Sequence, residues 1–421
     1  MELMKQILLN ENVVKALNYM EKNKKDTAAG VDNMQVPELR GHLKRNWTEI
    51  KASLLDGTYK PKPVRRKEIP KGKNKVRILG IPTVLDRFIQ QAIIQKIDKI
   101  FDKDFSDNSY GFRKGRNQHM AVERAGEIIQ SGYIWVVDMD LSKFFNRVNH
   151  DILMSKVAKK IKDKSLLRLI RRYLEAGMME NGVKTATEEG TPQGGVISPL
   201  LSNIMLDELD KELEKRGHKF VRYADDFQVY VKSKRAAQRV MKSIRRFIEN
   251  KLKLKVNEEK SSIKTYKDVN FLGFGFYKRN NQTRVRISKK SLKKFKSKIR
   301  DKTSRSKPIS MEKRIKNINR YTKGWIEYFK LADIKSHMGR LSGWIRRRLS
   351  MCLWKFWKNI RTRIRNLIKL GVDEIGAITS GISRKGYWRL TKSYQIKVAL
   401  GKKYWSNYGY KDLVNIYLDK R

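Results

Sequence analysis

Residues 220–230 read FVRYADDFQVY. Apolar and polar residues alternate on both sides of Asp225 and Asp226, the pattern of a half-buried β-hairpin with its tip at Tyr223–Asp226. Adjacent carboxylates repel, and one pKa rises unless a cation stands nearby. A solvated turn tolerates such a pair. A divalent metal removes the conflict outright, because Mg²⁺ takes one or two protein carboxylates and keeps its other positions for water and phosphate. Residues 135–145, WVVDMDLSKFF, supply the partner strand. Asp138 and Asp140 are two apart and share a face, and a carboxylate in so apolar a run needs a partner or a cation. Two metals about 3.5–4 Å apart can activate an attacking hydroxyl and stabilise a leaving pyrophosphate, which is the chemistry of nucleotide addition.

Bulk composition agrees with a polyanionic partner. The 421 residues suggest two or three units at roughly 150 residues each. A hydrophobic content of 40%, with 8 Trp, 17 Tyr and 15 Phe, is enough for real cores. Lys and Arg number 96 against 43 acidic residues, a net charge of +53. Such a surplus repels itself unless a polyanion shares the surface, and nucleic acid is the default one. No apolar run approaches ~18 residues, so no membrane partner is expected. Cys352 stands alone, which excludes an internal disulfide and a cysteine-based zinc site. The N-terminal MELMKQILLNENVVKALNYMEKNKK has helical apolar spacing with acidic residues intermixed, an amphipathic helix and not a signal peptide. A cytoplasmic location is expected.

Residues 1–62 read as helices, and 63–290 as mixed α and β. VRRKEIPKGKNKVRILGIP predicts a hairpin, and SPLLSNIMLDELDKELEKRG a helix. That helix should be capped by Ser198, admit Pro199 in its first turn, end at Gly217 and bury one stripe of Ile197, Leu200, Leu201, Ile204 and Met205. From 291 onward the chain holds 35 Lys plus Arg and 8 acidic residues, together with six of the eight Trp. In GWIRRRLSMCLWKFWKNIRTRIRNLIKLG basic residues alternate with apolar ones, which suits a helical groove for nucleic acid better than a merely solvated face.

Further pieces fit nucleotide addition. IPKGKNKVR offers Lys71 and Arg77 for a triphosphate. GTPQGG offers Gln193 beside Gly194 and Gly195, where absent Cβ atoms open space. Phe145 follows Asp140 by five residues and can sit beneath a sugar. Each has an ordinary alternative: surface lysine, turn glycines, core phenylalanine.

In this order the stretches resemble the reverse transcriptases, specifically the bacterial group II intron-encoded maturases. The matching runs are RRKEIPKGKNKVRILGIPTVLDRFIQQAI, FSDNSYGFRKGRNQHMAV, VDMDLSKFFNRVNHDILM, EEGTPQGGVISPLLSNIMLDELDKELEKRG, FVRYADDFQVYVKS, LKVNEEKS and FLGFGF, with YTKGWIEYFK resembling the start of maturase domain X. The resemblance implies an α+β right-hand polymerase. Its parts would be an N-terminal helical extension (1–62), fingers and an antiparallel-sheet palm (63–290), a helical thumb or domain X (291–370) and a small basic DNA-binding domain (371–421). It implies Asp140, Asp225 and Asp226 as catalytic carboxylates, binding two Mg²⁺ ions together with the Leu141 carbonyl. Lys71, Arg77, Phe145, Gln193 and Ala224 would contact the dNTP. Asn146, Lys114 and Val196 depart from the family's usual Asp, Pro and Pro, and none is a metal ligand. The implied partners are a group II intron RNA, an RNA template with a DNA primer, and target DNA. The basic, cysteine-free end resembles the endonuclease-free type found in class C introns. Two rival readings are a free-standing bacterial reverse transcriptase and an RNA-binding splicing cofactor with a vestigial polymerase site. Oligomeric state is left open.

Overall fold

The computed structural model describes residues 2–24, 27–70, 76–142, 144–180, 183–185, 190 and 194–421. The chain divides into two compact units, Met1–Thr265 and Tyr266–Arg421.

The first unit begins with three helices, α1 (Leu3–Ile7), α2 (Asn10–Lys24) and α3 (Leu39–Leu55). In α2 the buried Val13, Ala16, Leu17 and Met20 recur at three- and four-residue spacing, so one stripe faces the core. Asn12 is also buried, and its Nδ2 donates to the carbonyls of Ile7 (2.8 Å) and Ala92 (3.0 Å). The antiparallel hairpin β1 (Val64–Pro70) and β2 (Val76–Ile81) follows, in register from Arg65 opposite Ile81 to Pro70 opposite Val76. Its connection, and with it Lys71, lies outside the described residues.

Helix α4 (Val84–Asp102) starts where the Thr83 side chain accepts the Asp86 N–H at 3.0 Å, a side-chain cap on an otherwise orphan donor. Next come α5 (Gln118–Gln130), β3 (Trp135–Asp140), α6 (His150–Lys160), α7 (Lys164–Glu175), β4 (Met178–Glu180), β5 (Val183–Thr185) and α8 (Ser198–Lys215). The unit closes with β6 (Lys219–Tyr223), β7 (Asp226–Val231), α9 (Lys234–Asn250) and β8 (Ser262–Thr265). The strands form two four-stranded sheets, ordered β2-β1-β4-β5 and β6-β7-β3-β8. In the first, β1 runs parallel to β4. The second is antiparallel throughout.

Helix α8 corrects one expectation. Ser198 lies inside the helix and Ile197 holds the cap position, with no side-chain cap bond; Ser198 is buried instead. All five residues of the expected stripe are buried, and burial extends beyond them to Ser202, Asn203, Leu206, Leu209, Asp210 and Leu213. A helix covered on most sides loses the amphipathic signature. Gly217 does take the left-handed conformation, φ +69°, just past the C-cap at Arg216.

The second unit opens with the hairpin β9 (Phe274–Arg279) and β10 (Gln282–Ile287). Three long helices follow, α10 (Lys289–Lys302), α11 (Met311–Phe329) and α12 (Lys335–Phe356), and then α13 (Ile360–Lys369). The chain ends in five short helices: α14 (Glu374–Gly381), α15 (Tyr387–Leu390), α16 (Tyr394–Ala399), α17 (Lys402–Asn407) and α18 (Leu413–Lys420). The units part at 265/266, ahead of the composition change at 291. The reason is packing: Phe274 stacks on Tyr328 at 5.7 Å, and the Asp333 N–H donates to the Val285 carbonyl at 2.9 Å. Both hold the hairpin to the α11 region. The C-terminal segment is likewise tied to α12 and to the connection before it, for Asp412 accepts from Arg346 at 2.7 Å and Tyr417 Oη donates to the Ala332 carbonyl at 2.7 Å. Cys352 is buried on α12, with its thiol donating to the Thr303 carbonyl at 3.2 Å. Among the described residues no helix is long and apolar enough to cross a membrane.

Candidate active site

The two central strands of the second sheet carry the carboxylates. β3 alternates buried Val137 and Met139 with partly exposed Asp138 and Asp140, while β7 is buried from Phe227 to Val231. In the antiparallel register Asp140 stands opposite Asp226, and Asp138 opposite Gln228. Directly opposed residues have Cβ atoms about 4.5–5.5 Å apart and share a face. Asp225 completes the group from the turn between β6 and β7. Burial, followed by the charges of Asp138, Asp225 and Asp140, pushes the Asp226 carboxyl up to about 7. Burial also raises Asp138, against a hydrogen bond from Gln228 Nε2 at 2.9 Å that favours its ionised form. Gln228 Oε1 in turn accepts from Tyr230 Oη at 2.8 Å, so Asp138 is held from behind by a buried chain.

The turn is clamped by residues the sequence reading missed. Arg222 and Asp210 are both fully buried, and the guanidinium reaches the carboxylate through Nε at 2.7 Å and Nη2 at 2.5 Å. Its Nη1 donates to the Ala224 carbonyl and to Asn203 Oδ1, each at 3.0 Å. Asn203 then donates to the Gly111 carbonyl at 2.9 Å. A Cβ on Gly111 would lie 2.2 Å from the Ala224 nitrogen, so only glycine lets this segment back onto the turn. Ala224 itself holds φ at +58°, an uncommon conformation for a residue with a Cβ.

Asp140 is tied to the segment 254–261. Its Oδ2 accepts from Lys260 Nζ at 2.9 Å, its N–H donates to Ser261 Oγ at 3.2 Å, and its carbonyl accepts the Asn257 N–H at 2.8 Å. Leu141 follows as a buried residue bridged to Val256. Phe145 is half-buried, edge-on to Phe144 with ring centroids 5.2 Å apart. Arg77 is exposed on β2. Gln193 lies outside the described residues. The Gly194 backbone packs against β2: φ is +125° and a Cβ there would meet the Gly80 carbonyl oxygen at 2.5 Å.

The donor set is one of hard carboxylate oxygens whose mutual repulsion Lys260 offsets at Asp140 and leaves acting on Asp226, which fits a divalent cation of the Mg²⁺ class. Among the described residues no group of three or more His, Cys, Asp or Glu side chains is gathered at metal-binding spacing. The facing pair Asp140 and Asp226, with Asp225 beside them in the turn, is what the fold brings together.

A carboxylate pair opposed across two antiparallel strands, with a third carboxylate in the adjoining turn, is consistent with the palm of a right-hand polymerase. The reverse transcriptase (RNA-dependent DNA polymerase) family model matches residues 69–276, and the group II intron maturase-specific domain matches residues 292–371. The chain belongs to the reverse transcriptase family, whose polymerases depend on divalent metal. It is 35% identical over 272 residues to Protein YkfC of Escherichia coli (strain K12), covering 56% of this chain and 71% of that one. It is 34% identical over 307 residues to the group II intron-encoded protein LtrA of Lactococcus lactis subsp. cremoris, covering 57% of this chain and 51% of LtrA. Against the putative COX1/OXI3 intron 2 protein of Saccharomyces cerevisiae the identity is 27% over 320 residues, 62% of this chain and 37% of the other. The chain thus spans about half the length of LtrA.

Proposed function

We propose that the chain extends a DNA primer on an RNA template and binds a group II intron RNA to assist its splicing and mobility. The observation that carries the polymerase half is the register of Asp140 against Asp226, with Asp225 in a turn clamped by Arg222. In this reading Asp140, Asp225, Asp226 and the Leu141 carbonyl hold two Mg²⁺ ions. When bound, those ions would activate the primer hydroxyl and neutralise charge on the leaving pyrophosphate. Asp140 and Asp226 fix that position from two rigid strands, and the Arg222 clamp sets the turn that presents Asp225. Arg77 and Lys71 neutralise the triphosphate from the β1–β2 hairpin. Phe145 lies beneath the sugar and excludes a 2′-hydroxyl, while Gln193 and Ala224 border the incoming nucleotide.

Residues 63–290 then serve as fingers and palm, 291–370 as thumb, 371–421 as a DNA-binding extension and 1–62 as an N-terminal brace. Splicing assistance needs no carboxylate. The net charge of +27 from 291 onward supplies a salt-sensitive hold on structured RNA and on target DNA. Two measurements test the two halves. Primer extension on an RNA template, with Asp225→Ala as comparison, tests the polymerase; extension by the variant at the wild-type rate overturns the site. Sequencing RNA that co-purifies at moderate salt tests the intron half, and a scatter of unrelated transcripts overturns it.

A further inference from the structure

The second unit contains a cleft that polymerase chemistry does not use. It is an open concavity of about 460 Å³ lined by Arg300, Ser304, Arg305, Trp344, Arg348, Met351 and Trp388. Its volume lies within the range of small-ligand sites, about 300–1,000 Å³. Arg348 sits between two indoles, its guanidinium carbon 5.7 Å from the Trp344 ring centroid and 6.0 Å from that of Trp388. Arg300 approaches Trp344 from another side at 5.8 Å, and Arg305 lies 4.8 Å over Tyr387. The lining holds three guanidiniums and no carboxylate.

The cleft is preorganised. Arg347 stacks on Trp388 at 3.6 Å and donates to its carbonyl at 2.6 Å, fixing the indole at the rim. Arg348 is anchored by donation from Nε to Thr303 Oγ1 at 2.5 Å, so its position does not depend on an acidic partner. Like charges held this close repel, and nothing within the lining offsets them. Trp388 is 37% exposed, a large ring left in water beside guanidiniums.

Flat apolar faces beside guanidinium forks match one ligand chemistry, a nucleobase with its flanking phosphates. A duplex presents no free base face inside its stack, whereas unpaired bases stack on aromatic rings and guanidinium planes. We propose that this cleft captures a single unpaired nucleotide, its base against Trp344 and Trp388 and its phosphates on Arg300, Arg305 and Arg348. The inference rests on the nucleic-acid role proposed for the second unit and names the structural feature that unit reads.

The test uses the full chain and fluorescence anisotropy with hairpins that are identical except for one bulged nucleotide, made in RNA and in DNA. The wild type should bind the bulged form at least about tenfold more tightly than the paired form. Trp388→Ala should remove most of that preference. Arg305→Ala, at an exposed position where folding is not at stake, should lower it as well. 2-Aminopurine at the bulge should be quenched by the wild type and less so by Trp388→Ala. A preference confined to RNA places the contact in a transcript, and one confined to DNA places it in the primer or target strand; either supports the cleft. Equal affinity for bulged and paired hairpins, or a preference that survives both substitutions, overturns it while leaving general RNA binding intact. Absence of binding to every hairpin overturns the proposed RNA role of the unit and the cleft with it.

Discussion

Arg222 and Asp210 meet with both side chains wholly shielded from solvent, and the same guanidinium that binds Asp210 at 2.5–3.0 Å also holds the Ala224 carbonyl at 3.0 Å. The pair links the most buried helix of the first unit to the turn that presents Asp225. Asp210→Ala would strand a buried cation, and removing one partner of such a pair costs about 3–5 kcal/mol. Denaturant unfolding should show that loss. The double replacement Arg222→Met with Asp210→Leu should recover most of the stability, because two apolar groups fill the site. It should not recover extension, because the Ala224 carbonyl has lost its donor. Full activity in the stable double variant would show that the clamp is purely structural.

Asp225→Ala and Asp140→Ala remove carboxylates from the facing pair and its turn. Loss of several kcal/mol of transition-state stabilisation corresponds to roughly a thousandfold or more in rate. Single-nucleotide extension on an RNA template should fall by at least that factor, while RNA affinity measured by filter binding should change less than about threefold, since phosphate contacts made elsewhere dominate affinity.

Protonation of Asp226 gives a direction for pH dependence. Its carboxyl is raised to about 7 in the folded chain by burial and by Asp138, Asp225 and Asp140, against an ordinary 3.8. Between these values the folded state binds more protons than the unfolded one. The stability this group contributes is therefore fully present below about 3.8 and lost as pH rises through about 7. A divalent cation competes with that proton, so added Mg²⁺ should raise the melting temperature more at pH 8 than at pH 6. Asp226→Asn should flatten the pH dependence of both the metal-free stability and the Mg²⁺ effect. A Mg²⁺ increment independent of pH in the native chain would show that Asp226 does not meet the cation.

Phe145 touches Phe144 edge-on and is only half-buried, so Phe145→Ala should leave the fold intact. Incorporation of ribonucleotides relative to deoxyribonucleotides should rise about tenfold or more, the scale on which filling or vacating a small apolar volume discriminates substrates. Unchanged discrimination in a competition extension assay would remove the ring from beneath the sugar.

The site end of β3 was legible because buried Val137 and Met139 alternate there with partly exposed Asp138 and Asp140; β7, buried from Phe227 to Val231, keeps no such alternation. The turn was legible from the residue types on both sides of Asp225 and Asp226. Arg222 was not, for a buried arginine on β6 looks like an outward-facing polar residue until the helix carrying Asp210 is laid against it. Lys260 was missed for a similar reason, since it lies 120 residues from Asp140 and no local pattern joins the two. The expected Ser198 cap failed because the preceding residue was apolar and buried, which moved the helix start by one position. The break between α12 and α13 falls at residues 357–359, inside a run whose basic and apolar spacing continues across it.

Cys352 has a consequence for experiment. Its thiol is shut away in α12, occupied by the Thr303 carbonyl and made harder to ionise by burial. Thiol-directed reagents need an accessible thiolate, so the native chain is in effect blank to maleimides. A cysteine introduced on the exposed surface of either unit will be the one that reacts. Two of them, one in each unit, turn the chain into a two-colour ruler for movement as template enters.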